Sequence, residues 1–130
     1  MVNFMGFLWE EITITGTRKT KNLRALLDSG ASRNYIRKIL KDDDKVDDLG
    51  YRAYLGKQHV LLPDERKIPS IRVIFDNVRI RDSTFWNVEF LVLDTLIHEV
   101  ILGSNFLQEM GIILDLNEHK IELKKENKYL

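Results

Sequence analysis

The sequence contains no cysteine. That absence excludes a disulfide framework, a thiolate zinc site and a cysteine nucleophile, and it leaves no redox compartment to read. Long apolar runs are also missing. The longest, Phe90-Leu91-Val92-Leu93, is four residues, against about 20 for a membrane-spanning helix. No sign of charge dominates: 20 Lys and Arg face 20 Asp and Glu, so no global field draws the chain to nucleic acid or a membrane. The N-terminus Met1-Val2-Asn3-Phe4-Met5-Gly6-Phe7-Leu8-Trp9 has no basic start and meets Glu10-Glu11 at once. It is not a secretory signal, and the expected location is cytoplasmic. With two prolines and seven glycines, no linker, repeat or low-complexity tract is visible.

What is present points to one globular unit. A chain of 130 residues is expected to form a single domain, 1–130. Its charge is uneven. Residues 1–41 carry a surplus of basic groups, and residues 42–48 (Asp42-Asp43-Asp44-Lys45-Val46-Asp47-Asp48) are strongly acidic. The acidic run reads as a solvated surface loop.

The dominant hydrophobic period is two. Ile12-Thr13-Ile14-Thr15, the polar turn Gly16-Thr17-Arg18-Lys19 and Leu23-Arg24-Ala25-Leu26-Leu27 predict a hairpin. Further strands are expected near 58–62, 68–75, 78–82, 87–93, 99–102, 112–116 and 119–123. Their close spacing predicts a mainly β chain, an antiparallel sandwich or barrel. Two short helices are expected. Ser32 would cap one carrying Tyr35, Ile36, Ile39 and Leu40. Ser104 would cap the other, with Phe106, Leu107 and Met110 inward and Gly111 as its stop.

Several familiar constellations fail on inspection. Asp42, Asp44 and Asp48 suggest a calcium loop, but Val46 and Ala53 stand where ligands are needed. His98-Glu99 lacks the second histidine of a zinc helix, because Leu102 occupies that position. There is no nucleophile elbow and no glycine-rich phosphate loop. His59, His98 and His119 share no ligand spacing. Arg18-Lys19-Thr20-Lys21 has no aromatic platform and reads as a solvated turn, not a nucleic-acid site. No metal or organic cofactor is implied.

One constellation survives. Asp28-Ser29-Gly30-Ala31-Ser32 directly follows the apolar Ala25-Leu26-Leu27. A carboxylate at the end of a buried strand is costly unless donors or a function compensate. Ser29 and Gly30 supply such donors, and Gly30 permits close backbone approach. Taken alone, the pentapeptide fits a strand-ending turn as well as it fits a catalytic one. Further along, Val100-Ile101-Leu102-Gly103-Ser104-Asn105-Phe106-Leu107 is a second apolar strand ending in glycine before a short helix. The two motifs together resemble the retropepsin-like aspartic proteases, meaning the retroviral and retroelement proteases and their free-standing cellular and prokaryotic relatives. Leu26-Leu27-Asp28-Ser29-Gly30-Ala31 and Val100-Ile101-Leu102-Gly103 match that signature in order, and the resemblance runs from about Glu11 to Leu123.

The resemblance implies a small closed antiparallel β-barrel with one or two short helices. It implies an aspartic endopeptidase in which two carboxylates share a proton around a water. Only one Asp-Ser-Gly is present, since Asp82-Ser83-Thr84 and Asp94-Thr95-Leu96 lack the glycine. The enzyme would therefore be a homodimer with one Asp28 from each subunit, acting on extended polypeptide. By the same resemblance, the Ser29 hydroxyl would bond across the dimer axis, Gly30 would contact the dyad and substrate backbone, and Ala31 and Gly103 would support the loop. Ala31 brings no hydroxyl, which sets the expected activity optimum at mildly acidic to near-neutral pH. A flap hairpin is expected over Val60–Leu62 and Ile68–Ile71, with its tip at Pro63-Asp64-Glu65-Arg66. Ser32, Leu62, Asp64, Ile68 and Ile101, together with Leu26 and Ile71, are the expected substrate contacts. Ser32 and Ser104 stand where viral members often pair Asp with Arg, which sets this chain nearer the cellular and prokaryotic branch. The alternative reading is a catalytically inactive module of the same fold that dimerises or binds peptide.

Overall fold

The computed structural model describes residues 6–62 and 64–124. The segment Met1–Met5 and the expected flap-tip residue Pro63 lie outside the described residues. The chain opens with the expected hairpin. Strand β1 (Phe7–Thr15) pairs antiparallel with β2 (Thr20–Asp28), with Phe7 opposite Asp28 and Thr15 opposite Thr20. The turn closes through the Gly16 N–H on the Lys19 carbonyl at 2.9 Å. It is not free in solvent. Thr17 and Arg18 donate backbone N–H groups to Gly50 and Leu49, and a Cβ on Gly16 would stand 2.1 Å from the Leu49 carbonyl oxygen.

The remaining strands are β3 (Tyr35–Arg37), β4 (Ala53–Leu61), β5 (Lys67–Ile80), β6 (Ser83–Leu93), β7 (Val100–Gly103), β8 (Ile112–Asp115) and β9 (Lys120–Leu123). Strand order is β1-β2-β7-β3-β6-β5, and β5 returns to pair with β1, so the sheet closes into a barrel. β4 adds to the outer edge of β5, and β8 with β9 forms a separate two-stranded sheet. The core is the barrel interior, filled by fully buried Ile14, Leu23, Leu27, Ile36, Phe75, Phe90 and Leu102, among others. Alternation along β2 (Leu23, Ala25 and Leu27 inward) is the period-two pattern of the sequence, made physical.

The barrel agrees with expectation, but two of its pairings, β2–β7 and β3–β6, are parallel. Hydrophobic alternation carries no strand direction, so the sequence pattern could not distinguish them. The helix expected after Ser32 is absent. Tyr35–Arg37 is a strand wedged between β6 and β7, and Ile36 is fully buried there while Ile39 is 38% exposed. Burial between two strands outweighs a helical spacing of only six residues. The break expected near Asp76-Asn77 is also missing, because β5 runs unbroken to Ile80.

Within the acidic segment, a 3₁₀ turn (Lys41–Asp43) leads to the short helix α1 (Val46–Leu49). Most of the acidic side chains face solvent, while Val46 and Leu49 insert into the core. Lys21 Nζ reaches Asp44 Oδ2 at 2.5 Å and ties the segment to β2. A second helix, α2 (Ser104–Glu109), follows β7 and buries Phe106 and Leu107. Gly111 takes φ +70 after it, as a helix stop requires. Among the described residues, no helix is long and apolar enough to cross a membrane.

Candidate active site

The parallel pairing of β2 with β7 decides the geometry. It aligns Leu26 with Ile101, Leu27 with Leu102, and Asp28 with Gly103. Both strands therefore end at the same level, and the two turns that follow them meet. Asp28 is half-buried at this end. Its Oδ1 accepts the Gly30 N–H at 2.8 Å, and its backbone carbonyl accepts the Ala31 N–H at 3.1 Å. Among the described residues, Oδ2 has no protein partner, so one carboxylate oxygen is held and the other is not.

The second turn braces the first. The N–H groups of Ser104 and Asn105, which begin α2, donate to the carbonyls of Ala31 and Ser32 at 2.6 and 3.2 Å. These carbonyls do the work of a helix cap. Ser104 is therefore the first residue of α2, not its cap, and Gly103 stands in the cap position without a side-chain bond. Gly103 is needed here for space. A Cβ on it would lie 2.4 Å from the Arg33 carbonyl oxygen and 2.7 Å from that of Ala31.

Sequence reasoning missed Asn34, which stitches the site together. It is 8% exposed. Its Oδ1 accepts the Gly103 N–H at 2.9 Å, its Nδ2 donates to the Glu89 carbonyl at 3.1 Å, and its own carbonyl accepts the Leu91 N–H at 2.9 Å. A polar residue between Arg33 and Tyr35 carries no local signal of this role, since its partners lie about 55 and 69 positions away.

Ser29 also makes bonds within its own chain. Its hydroxyl exchanges hydrogen bonds with the Gly6 peptide, accepting the N–H at 3.0 Å and donating to the carbonyl at 3.1 Å. Within the chain this hydroxyl pins the turn after β2 to Gly6, and one acceptor lone pair is left over.

Of the other expected residues, Ile101 and Leu26 are ladder partners. They lie two positions before Gly103 and Asp28 and so share their face. Leu26 is nearly sealed at 6%, beneath Trp9, its partner on β1. Ser32 is exposed beside the turn. Leu62, Asp64 and Ile68 belong to the β4–β5 hairpin, where Ile68 pairs with Val60 and the Leu62 N–H bonds the Arg66 carbonyl at 2.9 Å. Among the described residues no hydrogen bond joins this hairpin tip to the Asp28 turn. Asp64 instead bonds Arg66, through its backbone N–H and its Nε at 3.1 and 2.7 Å. Glu65 adopts φ +71 at the tip, a conformation that glycine takes without strain.

Beside the turns, Glu89 on β6 accepts from Arg72 Nε on β5 at 2.9 Å and from Arg33 Nη2 at 3.1 Å. The Arg72 hydrogen bond, more than the nearby charges, holds the Glu89 carboxyl below its ordinary value of 4.5. A depressed carboxylate stabilises the fold above its unfolded pKa, and that contribution disappears as pH falls through the folded value. Glu89→Gln should therefore lower Tm at neutral pH and have no effect once the pH is well below 4.5. The pair is over a third exposed, so the loss at neutral pH is under about 1 kcal/mol. Thermal unfolding of both proteins from acid to neutral pH checks this, and a Tm difference that persists in acid would refute it. Among the described residues, no group of three or more His, Asp or Glu side chains could hold a metal.

Comparison with known proteins agrees with this geometry. A family model described as aspartyl protease matches residues 11–106. Among solved structures, a retropepsin-like aspartic protease from Rickettsia conorii aligns with a TM-score of 0.56 at 17% identity, covering 88% of this chain and 91% of that one. At that identity the likeness shows the retropepsin-like fold. No curated protein sequence matches the chain.

Proposed function

The chain belongs to the aspartyl protease family, and from that premise we propose that it is an aspartic endopeptidase, active as a homodimer on extended polypeptide. The observation that carries the reading is the Asp28 turn, braced by Gly103 and Asn34 with one carboxylate oxygen unpartnered among the described residues. In this reading Asp28 of each subunit supplies half of a dyad. One carboxylate takes a proton from a water while the other, protonated, polarises the scissile carbonyl. Like charges this close cannot both ionise, so the two titrate as a pair. Gly30 and Ala31 face the substrate backbone, Ile101 forms part of the wall, and the β4–β5 hairpin with Leu62, Asp64 and Ile68 serves as the flap. Ser29 holds the turn in place through Gly6.

Among the described residues the outer edge of β8 is unpaired, and this supports a dimer. The Lys124 N–H bonds the Gly111 carbonyl at 3.0 Å. Alternation along the ladder then turns the N–H and C=O groups of Ile112 and Leu114 away from β9. Among the described residues these outward groups have no backbone partner, whereas on the opposite edge Arg81 Nη1 covers the Ile121 carbonyl at 3.3 Å. β8 carries no Lys, Pro or Glu to blunt its edge, and Ile113 is 43% exposed. The groove beside it is lined by Ser29, Leu107, Ile112 and Leu114, so a second β8 seated there would lie next to the catalytic turn.

Leu114→Pro removes one edge N–H but no bond of the β8–β9 ladder. The expected result is a monomer by analytical ultracentrifugation that is still folded, with a Tm lowered by the lost dimer and the lost Leu114 packing, and that does not cleave peptide at concentrations where wild type does. A variant that remains dimeric and active would remove this edge from the interface.

A further inference from the structure

The ion cluster at Glu89 opens into a cavity of about 440 Å³ beside the active-site turns. Ser32 and Arg33 line it from the segment that follows Asp28, Arg72 from β5, Glu89 from β6, and Asn105 and Glu109 from α2. Both arginines donate to the same oxygen, Glu89 Oε2. Two guanidiniums on one carboxylate leave one positive charge uncompensated within the cluster. Neither is sealed, since their side chains are 38% and 35% exposed. Each guanidinium has five N–H donors. Among the described residues only one donor of each is engaged, leaving fork-shaped donor pairs free for a second carboxylate.

We propose that this cavity is a subsite of the cleft that takes an acidic side chain of the polypeptide substrate, at a fixed position several residues from the scissile bond. The inference rests on the endopeptidase reading. A peptide laid over Asp28 and continuing along Ala31 and Ser32 arrives next at Arg33, so the substrate itself brings the carboxylate to the free donors. Glu109 on the far wall cancels the net charge of the four ionic residues, so the cavity exerts little long-range pull on acidic proteins in general. Recognition is short-range, through paired N–H···O bonds to one side chain. Two-fold symmetry of the dimer places the same preference on both sides of the cut.

The test is cleavage of a mixed decapeptide library by wild type, Arg33→Glu and the milder Arg33→Gln, each first shown to be folded by thermal unfolding. The readout is the acidic-to-neutral ratio at each aligned position within each protein. Wild type should favour Asp or Glu about tenfold at one position on each side of the cut. Arg33→Gln should lose most of that ratio, and Arg33→Glu should invert it toward Lys and Arg. A flat ratio in wild type, or a preference unchanged in both variants, overturns the subsite. If wild type cuts nothing, the endopeptidase reading fails separately, and capture of the same library by Asp28→Asn decides the subsite. A bound pool enriched in Asp and Glu that Asp28→Asn/Arg33→Glu loses supports it. An unenriched pool, or no bound pool, overturns it.

Discussion

Asp28→Asn should lower cleavage of a mixed peptide library by about 10³-fold or more at every pH from mildly acidic to neutral. The size follows from the chemistry: a positioned general acid or base contributes about 10² to 10⁴, and this substitution removes the ionisable group from both halves of a dyad. The fold should survive. An asparagine side-chain oxygen still accepts the Gly30 N–H that Asp28 Oδ1 now accepts at 2.8 Å, and Asp28 is only half-buried at the end of β2. Unchanged thermal unfolding therefore separates lost chemistry from lost structure. A mixing experiment sharpens the result. Excess Asp28→Asn added to wild type should suppress activity, because exchange produces dimers with one carboxylate. A statine-type transition-state analogue should bind wild type and not the variant. Equal cleavage by both proteins would assign the activity to other residues. No cleavage by a wild-type dimer would leave the inactive peptide-binding module as the reading.

Gly103→Ala has the second largest expected effect, and it acts through space. The added methyl would sit 2.4 Å from the Arg33 carbonyl oxygen and 2.7 Å from both the Ala31 oxygen and the Arg33 nitrogen. All three are backbone atoms, so no side chain can swing aside. The β2–β7 end must open or the 31–33 segment must move, and either breaks the Asn34–Gly103 bond and the Ser104–Ala31 bond. Overpacking of this kind costs about 1–3 kcal/mol, and a backbone clash belongs at the upper end, a fall in Tm of roughly 10 °C. Activity should fall further than stability, because the atoms that move are those that aim Asp28. Measuring kcat/KM well below the transition, beside Tm, separates the two. A variant with wild-type Tm and activity would show that the turns are not braced against each other as described.

The β-rich class, the first hairpin, the second helix and the two motif turns were legible in the sequence because each is written locally. Alternating Leu23, Ala25 and Leu27 predicts a strand wherever it pairs, and glycine after an apolar strand marks a turn whatever lies across from it. The helix expected over 32–40 failed for the complementary reason. Tyr35 and Ile36 are equally compatible with a helical face and a buried strand, and only the presence of β6 and β7 on either side chose between them. Asn34 and the Arg33–Glu89–Arg72 cluster were invisible because their meaning lies in partners far away in the chain.

The sequence alone determined that one carboxylate, Asp28, follows a buried strand and precedes a glycine turn, and that a second strand ends in Gly103. It also determined that a single chain supplies only one such carboxylate. The tertiary structure decided everything that depends on direction and distance. Pairing β2 with β7 in parallel set Asp28 level with Gly103. Buried Asn34 locked the two turns, Gly6 took the Ser29 hydroxyl, and the edge of β8 was left facing outward. Hydrophobic period fixes which face of a strand is buried. It says nothing of which strand lies alongside, or which way that strand runs.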